Sequence, residues 1–311
     1  MSRSTNHSFV PAETRVKRVW QRVDGVLLLD KPGGISSNAA LQTARRLFSA
    51  ARAGHAGTLD PLATGLLPLC FGEATKFSAD LLAADKTYEA EVRFGVTTTT
   101  GDAEGEVLER RTPAFDQQEL ETTLEKFRGR ITQIPPMYSA LKRDGQPLYK
   151  LARQGLTVER EAREVDIDEL TLLDHAAERC RLRVRCGKGT YIRTLAEDIG
   201  RALGCGAHLA GLRRTMVGGM SVARAVSLDT LGALPEDQRQ SWLLPPDALL
   251  QSLPEIRLDE AQGRRFMHGN PVAVACGIEG KCRVYASSGL LGIGLADVLG
   301  MLHPRRLVAS E

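Results

Sequence analysis

Long apolar runs are missing from this 311-residue sequence. The longest near its start, Val26-Leu27-Leu28-Leu29, falls far short of the roughly 20 residues that cross a bilayer as a helix. A helical membrane protein is thereby excluded, and no membrane partner is expected. Cysteines are few and scattered: Cys70, Cys180, Cys186, Cys205, Cys276 and Cys282 form no C-x-x-C pair. Such spacing argues against a zinc site, so no metal is expected, and a chain this long does not need a disulfide framework. Reduced thiols in the cytoplasm are the expectation. Excess charge of one sign is lacking too, since 41 Lys and Arg face 38 Asp and Glu, a net of +3. Residues 1–24 carry that surplus, with Arg3, Arg15, Lys17, Arg18 and Arg22 against Glu13 and Asp24. This segment has no apolar stretch of the kind a secretory signal needs and little apolar area to bury, so a flexible basic arm is expected. A polyanion partner is compatible with these charges but not required by them.

The length suits one large domain over 25–250 and a small one over 251–311. Gly25 to Asp30 reads as a buried strand ending in the turn Lys31-Pro32-Gly33-Gly34. A helix should follow, capped by Ser36 or Ser37, with Leu41, Ala44, Leu47 and Phe48 at helical spacing. Next comes Gly54-His55-Ala56-Gly57-Thr58-Leu59-Asp60-Pro61-Leu62-Ala63-Thr64-Gly65. Pro61 biases Asp60 away from helix, so a loop presents this carboxylate among apolar neighbours, where an acid needs a partner charge or a chemical task. An Asp-Pro turn closed by glycines is the plainer alternative. Gly65 to Phe71 reads as a further strand, with Pro68 suggesting an edge or a bulge.

Thr87 to Phe94 alternates, turning Tyr88, Ala90, Val92 and Phe94 inward. The plain reading of Tyr88 is a core tyrosine, and that of Asp102 in Gly101-Asp102-Ala103-Glu104-Gly105 is a turn residue. Asp116 and Glu119 form a capping box for a helix facing the core with Leu120, Leu124 and Phe127. From about 135 to 163 the texture changes to a rigid proline start, an Asp144-Gly145 hairpin signal, and Lys142, Arg143, Lys150, Arg153, Arg160 and Arg163 interleaved with Tyr138 and Tyr149. Basic groups with aromatics suit a nucleic-acid backbone and its bases, and a solvated loop face would look similar. Arg179, Arg181, Arg183 and Arg185 share one strand face, which requires an anion or acidic residues opposite. Arg193 lies in the first turn of a helix over about Tyr191 to Leu203, where the dipole disfavours a cation unless an anion compensates it. After about Gln251 a short helix and several short strands imply a small β-rich domain.

Seven blocks, in order along nearly the whole chain, carry a family resemblance: Gly25 to Pro32, Gly54 to Gly65, Lys86-Thr87-Tyr88, Thr100 to Gly105, Pro136 to Lys142, Lys188 to Thr194, and Gly204 to His208. The sequence resembles the bacterial TruB-type tRNA pseudouridine synthases, which isomerise the T-loop uridine at tRNA position 55. The resemblance implies an α+β fold, a mixed, mostly antiparallel sheet with flanking helices, followed by a β-barrel-like PUA-type RNA-binding domain. It implies Asp60 as the nucleophile or its equivalent, Arg193 as its bidentate partner keeping it ionised, and Tyr88 as the residue that stacks on the target base and helps deprotonate C5 at the end. By the same resemblance, His55 fills the space left by the flipped nucleotide, Leu212 lines the uracil pocket, Lys31 serves packing and turn geometry, and Tyr191 joins the substrate site. The 135–163 insertion, with Lys142, Arg143, Lys150 and Arg153, would close over the T arm, and the C-terminal domain would hold the acceptor-stem region. Neither cofactor nor obligate protein partner is implied, and a monomer suffices. Two other readings compete. A non-catalytic tRNA-binding chaperone would not need Asp60, Tyr88 and Arg193 together, and a glycoside hydrolase would need a second placed carboxylate.

Overall fold

The computed structural model describes residues 19–139, 141–143, 145–275 and 277–309. The first 18 residues of the expected basic arm, and Asp144 of the expected hairpin turn, lie outside them. Residues 19–24 do not behave as a free arm: Val23 is buried, Gln21 bridges Ala50, and the Arg45 guanidinium sits 4.4 Å over the Trp20 ring.

The chain begins with β1 (Gly25–Lys31), α1 (Ser37–Leu47), β2 (Ala53–His55), β3 (Thr64–Phe71), α2 (Ser78–Leu82) and β4 (Lys86–Phe94). A hairpin of β5 (Val96–Thr98) and β6 (Val107–Arg110), α3 (Gln117–Glu125) and β7 (Gly129–Gln133) follow. The insertion holds β8 (Lys142–Arg143), β9 (Gln146–Pro147) and α4 (Leu148–Arg153). Then come β10 (Arg163–Ala176), β11 (Arg179–Cys186), α5 (Ile192–Ala202), β12 (Ala207–Val217), β13 (Met220–Ser221), α6 (Leu228–Ala233), α7 (Glu236–Arg239) and β14 (Leu243–Leu244). The chain ends with β15 (Glu255–Arg257), α8 (Glu260–Met267), β16 (Val272–Ala273), β17 (Gly280–Ala286), β18 (Gly289–Ala296) and β19 (Met301–Leu307).

Local chemistry explains the main boundaries. Ser36, not Ser37, caps α1 by accepting the Ala39 N–H at 3.1 Å. Asp116 and Glu119 close the expected capping box on α3. Gly204, at φ +78°, follows the C-cap of α5 in the left-handed region that side chains avoid.

One ten-stranded sheet carries the body, in the order β14-β1-β3-β12-β4-β11-β10-β7, with β2 on β3 and β13 on β12. Every pairing in it is antiparallel except β3 with β12, where Arg213 and Arg214 lie beside Thr64 and Gly65. That parallel junction brings the Asp60 loop against Leu212 and Arg214. Gly65 (φ +97°) is required there, because a Cβ would collide with the Arg214 carbonyl oxygen. The edge or bulge expected at Pro68 is not found, since β3 is interior. Proline is tolerated because on that flank pairing with β2 ends at Leu69 and pairing with β12 begins only at Gly65.

Three apolar clusters fill the body, and two of them meet at the site. One is built on Ala90, Val92, Phe94, Leu182, Leu195 and Ile199, the other on Leu27, Leu41, Phe48, Leu67 and Phe71. Tyr88 and Leu212 pack against both, which places them at the seam. Three of the four outward arginines of β11 meet acidic neighbours: Arg179 pairs with Glu91 at 3.0 Å, Arg181 with Glu89 at 3.3 Å, and Arg185 with Asp168 at 3.6 Å. These pairs are exposed and stabilise little, but they remove the need for a bound anion on that face.

The C-terminal sheet runs β15-β17-β18-β19-β16 and curls into a PUA-like half-barrel. It is fused to the body. Ile293 is buried in one cluster with Val26, Leu28, Phe77, Leu81, Leu249 and Leu250, and Lys281 pairs with Asp80 at 2.9 Å. Among the described residues no helix is long and apolar enough to cross a membrane.

Candidate active site

Between β2 and β3 the backbone is clamped on several sides, and the Asp60 side chain projects from it. Buried Ser37 brackets Leu59, accepting its N–H at 2.7 Å and donating to its carbonyl at 2.8 Å. Lys31 Nζ donates to the carbonyls of Pro32, Ile35 and, at 3.4 Å, Pro61. Arg214 Nη2 donates to the Gly57 carbonyl at 3.0 Å. Lys31 thus ties the turn after β1 to the Asp60 loop. Burial pushes its pKa down to about 8 against the opposing pull of acidic neighbours.

Arg193 approaches Asp60 from the first turn of α5, with its side chain only 6% exposed. Nε lies 3.1 Å from Asp60 Oδ2. The expected bidentate pair is not formed, because the rest of the fork is committed elsewhere. Nη1 donates to the Thr100 carbonyl at 3.0 Å and lies 3.5 Å from Asp102 Oδ2, while Nη2 donates to the Tyr138 carbonyl at 2.6 Å. Two carboxylates thus share one guanidinium, and together they supply the anion that the helix dipole required. Burial raises the Asp60 pKa, Arg193 lowers it, and Asp102 raises it again, leaving a net upward shift. Arg193 offsets the burial cost without abolishing it.

Asp102 is both turn residue and site residue. Its Oδ1 accepts from the Thr100 hydroxyl at 2.5 Å and from the Glu104 N–H at 3.1 Å, as in a turn, while Oδ2 faces Arg193. At 3% exposure it is buried. Sequence reasoning missed the second half of this arrangement, and it also passed over Arg214 and Lys86. Arg214 is 1% exposed, donates to the Leu66 carbonyl at 2.7 Å, and lies directly opposite Tyr88 across the pairing of β12 with β4. Lys86 donates to the carbonyls of Leu82 and Ala84, and burial lowers its pKa to about 8. Asp102 and Arg214 meet their site partners across distant segments, so no local pattern could have marked them, whereas the Lys86 acceptors lie two and four residues before it.

A cavity of about 270 Å³ collects Asp60, Tyr88, Arg193, Leu212, Tyr191 and Arg214 along its wall. Burial raises the Tyr88 pKa, with Arg214 as the main opposing influence. Tyr191 lies at the N-cap of α5, its backbone held by Gln133 and its ring 5.0 Å beneath the Arg163 guanidinium. His55 is partly buried on β2 and does not line this cavity. Its Nδ1 is buried without a hydrogen-bond partner among the described residues, and burial reinforced by Arg214 lowers its pKa. A larger groove of about 740 Å³ runs behind Thr100 and Tyr138 and contains none of Asp60, Tyr88 and Arg193.

At the cavity mouth stands the insertion. Its first residues touch the site through the Tyr138 carbonyl, and Arg163 at its end donates to the Gly189 carbonyl. Lys142, Arg143, Lys150 and Arg153 are all exposed, with Arg153 5.7 Å over the Tyr149 ring.

Comparison with known proteins bears on this geometry. Residues 45–192 match the TruB family pseudouridylate synthase (N terminal domain), residues 193–251 the tRNA pseudouridylate synthase B C-terminal domain, and residues 254–308 the Pseudouridine synthase II TruB, C-terminal. The chain is 59% identical over 292 residues to tRNA pseudouridine synthase B of Dechloromonas aromatica (strain RCB), covering 94% of this chain and 98% of that one. It is 55% identical over 304 residues to tRNA pseudouridine synthase B of Burkholderia mallei (strain ATCC 23344), covering 95% and 97%. Among solved structures it shares its fold with a chain of the archaeal box H/ACA sRNP Nop10-Cbf5 complex, with a TM-score of 0.70 at 23% identity, covering 91% of this chain and 85% of that one. With all three regions matched in order and relatives this similar along their whole length, the chain belongs to the TruB family of pseudouridylate synthases.

Proposed function

We propose that the protein isomerises uridine to pseudouridine in tRNA, at position 55 of the T loop, with Asp60, Tyr88 and Arg193 as its catalytic residues. The observation that carries this reading is the single cavity in which those side chains converge, in a chain belonging to this family. Uridine joins ribose through N1 and pseudouridine through C5. The N1–C1′ bond must break while the base stays bound, the base must turn, a C5–C1′ bond must form, C5 must lose its proton, and N1 must gain one. The sequence is redox-neutral and uses one carboxylate, needing neither metal nor redox cofactor.

Asp60 adds to C6, attacks the anomeric carbon or removes the 2′ proton; its clamped loop and its contact with Arg193 suit each of these routes. Arg193 orients it. Tyr88 and Leu212, at the seam of the two apolar clusters, offer flat and apolar walls for the uracil ring. A base stacked in the T loop cannot reach this cavity, so the nucleotide is extruded at a cost of a few kcal/mol. His55, with its unpartnered ring nitrogen, fills the place it leaves. Tyr191 and Lys31 complete the substrate site.

Residues 25–250 carry the chemistry, the 135–163 insertion closes over the T arm with Lys142, Arg143, Lys150 and Arg153, and residues 251–311 hold the acceptor-stem region. Every site residue comes from one chain, which suits a monomer without an obligate protein partner, working in the cytoplasm where tRNA is processed. The test is incubation with unmodified tRNA and with an isolated T-arm hairpin, mapping pseudouridine by position. Product at the T-loop uridine in both is expected. Product elsewhere overturns the site specificity, and binding without product leaves the chaperone reading.

A further inference from the structure

We propose that Arg214 is a positioning residue for Tyr88, presenting a buried guanidinium to the phenol and tying it to the Asp60 loop so that Tyr88 takes the C5 proton from the rejoined base. This rests on the reading of Tyr88 given above. The geometry begins with the sheet, where Arg214 on β12 is the direct cross-strand partner of Tyr88 on β4. Both side chains line the same cavity, and the guanidinium is the main influence favouring the ionised phenol. The same guanidinium reaches the carbonyls of Leu66 and Gly57, which flank the Asp60 loop. Arg214 therefore fixes the phenol relative to the carboxylate.

Its charge is the second observation. Among the described residues no carboxylate forms a salt bridge with Arg214, which is 1% exposed and surrounded by carbonyls and the phenol. A buried cation without a counter-ion is costly, and a neutral donor would satisfy two carbonyls more cheaply. Guanidinium nonetheless stays protonated in proteins. Its field is felt around the cavity, where it adds to burial in lowering the pKa of both His55 and Lys86. Of the groups facing Tyr88, Cys186 on β11 and Asp60 in the loop disfavour the phenolate, as burial does, and Arg214 favours it. Lys86 on the same strand and Arg193 on α5 line the same cavity as further cations.

The step itself balances. Once C5 is joined to C1′, the C5 proton passes to the phenolate oxygen and the C5–H pair becomes the C5=C6 double bond. The N1=C6 pair moves onto N1, which takes a proton from solvent. Burial keeps the Tyr88 pKa above its ordinary value even beside Arg214, so the phenolate is a minor form, and the cation at its hydroxyl enlarges the fraction that can accept the proton.

The test uses the full-length protein with a fluorinated tyrosine at position 88, whose more acidic phenol titrates within the folded range, followed by fluorine NMR without RNA. Arg214→Gln should move that titration upward by about 1–3 pH units, the usual effect of a single neighbouring charge. Arg214→Lys, which keeps the charge and loses the fork, should give a smaller upward move. Circular dichroism and melting establish that each variant is folded, and Arg214→Lys decides alone if Arg214→Gln is not. An unmoved titration in a folded variant overturns the proposal. Single-turnover pseudouridine formation should fall in parallel and recover as pH is raised, and a loss uniform across pH also overturns it. A fully active Tyr88→Phe would instead sink the catalytic reading of Tyr88 while leaving the NMR shift in place, so the two failures are distinguishable.

Discussion

Replacing Arg193 by lysine keeps the charge and removes the fork, which isolates what the fork does. In the structure one guanidinium serves Asp60, Asp102 and the carbonyls of Thr100 and Tyr138. An ammonium donates from a single point and cannot span acceptors placed around a planar group. We expect it to keep one carboxylate and one further acceptor, leaving the remaining partners short of a donor. Each partly buried acceptor left unmatched costs about 1–3 kcal/mol, and two of them at the lower half of that range give about 3 kcal/mol. For a body of this size that corresponds to a fall in Tm of about 6–12 °C. Asp60 also loses its orienting contact, and a misplacement of about 1 Å at a reacting group costs about 100-fold in rate. Calorimetry and single-turnover pseudouridine formation at saturating tRNA measure the two effects. A folded Arg193→Lys variant melting within about 2 °C of the parent and turning over at a similar rate would falsify the shared-fork account.

Asp60→Asn should abolish pseudouridine formation while tRNA binding persists, and it should also change stability with pH. The folded Asp60 pKa lies above its ordinary value of 3.8, so between those two values the folded state holds more protons than the unfolded one and stability falls as pH rises. The asparagine variant escapes that cost: it should outlast the parent in chemical denaturation at neutral pH and lose the advantage below pH 3.8, and lower stability at neutral pH would refute the sign. Deleting residues after 250 should give an aggregating protein rather than a catalytic body with weakened tRNA affinity, because Ile293 shares a cluster with Val26, Leu28 and Phe77. A monodisperse, active truncation would contradict this. Lys142→Ala with Lys150→Ala should flatten the salt dependence of tRNA binding by up to about 2 in log–log slope if both lysines meet phosphates, and an unchanged slope removes them from the interface. Lys31 and Lys86, lowered by burial to about 8, should take up protons when RNA binds above that pH. Calorimetric titration in buffers of differing ionisation enthalpy detects that uptake, and its absence would place both lysines beyond the reach of the RNA charge.

Periodicity and caps carried the elements: the alternation of β4, the capping box of α3 and the apolar stripe of α5 are local patterns that tertiary structure did not override. Pro68 misled because proline is a statement about one backbone donor, and whether that donor is needed depends on which strands end beside it. The β11 arginines could not be interpreted from their own strand, since their partners are Glu89 and Glu91 on β4 and Asp168 on β10. Asp60 and Arg193 each signalled a missing partner through local context, an acid among apolar residues and a cation at a helix start. Asp102 gave no such signal, because its turn hydrogen bonds are satisfied by one oxygen and its role falls to the other.

The parallel contact between β3 and β12 is the least legible feature and the one on which the site depends. It joins segments about 150 residues apart through only two register pairs, Arg213 with Thr64 and Arg214 with Gly65. Those pairs set Leu212, Arg214 and the Asp60 loop around one cavity, and they bring four cations, Lys31, Lys86, Arg193 and Arg214, near the acids Asp60, Asp102 and Glu104. A near-neutral protein thus concentrates positive charge where a polyanion would enter. Both lysines have pKa values lowered by burial, so cation character is costly there. An arriving phosphate backbone, or negative charge developing on a detached uracil, relieves that cost. The protein's net charge of +3 conceals this local imbalance, because the surplus that matters is set by which residues the sheet brings together.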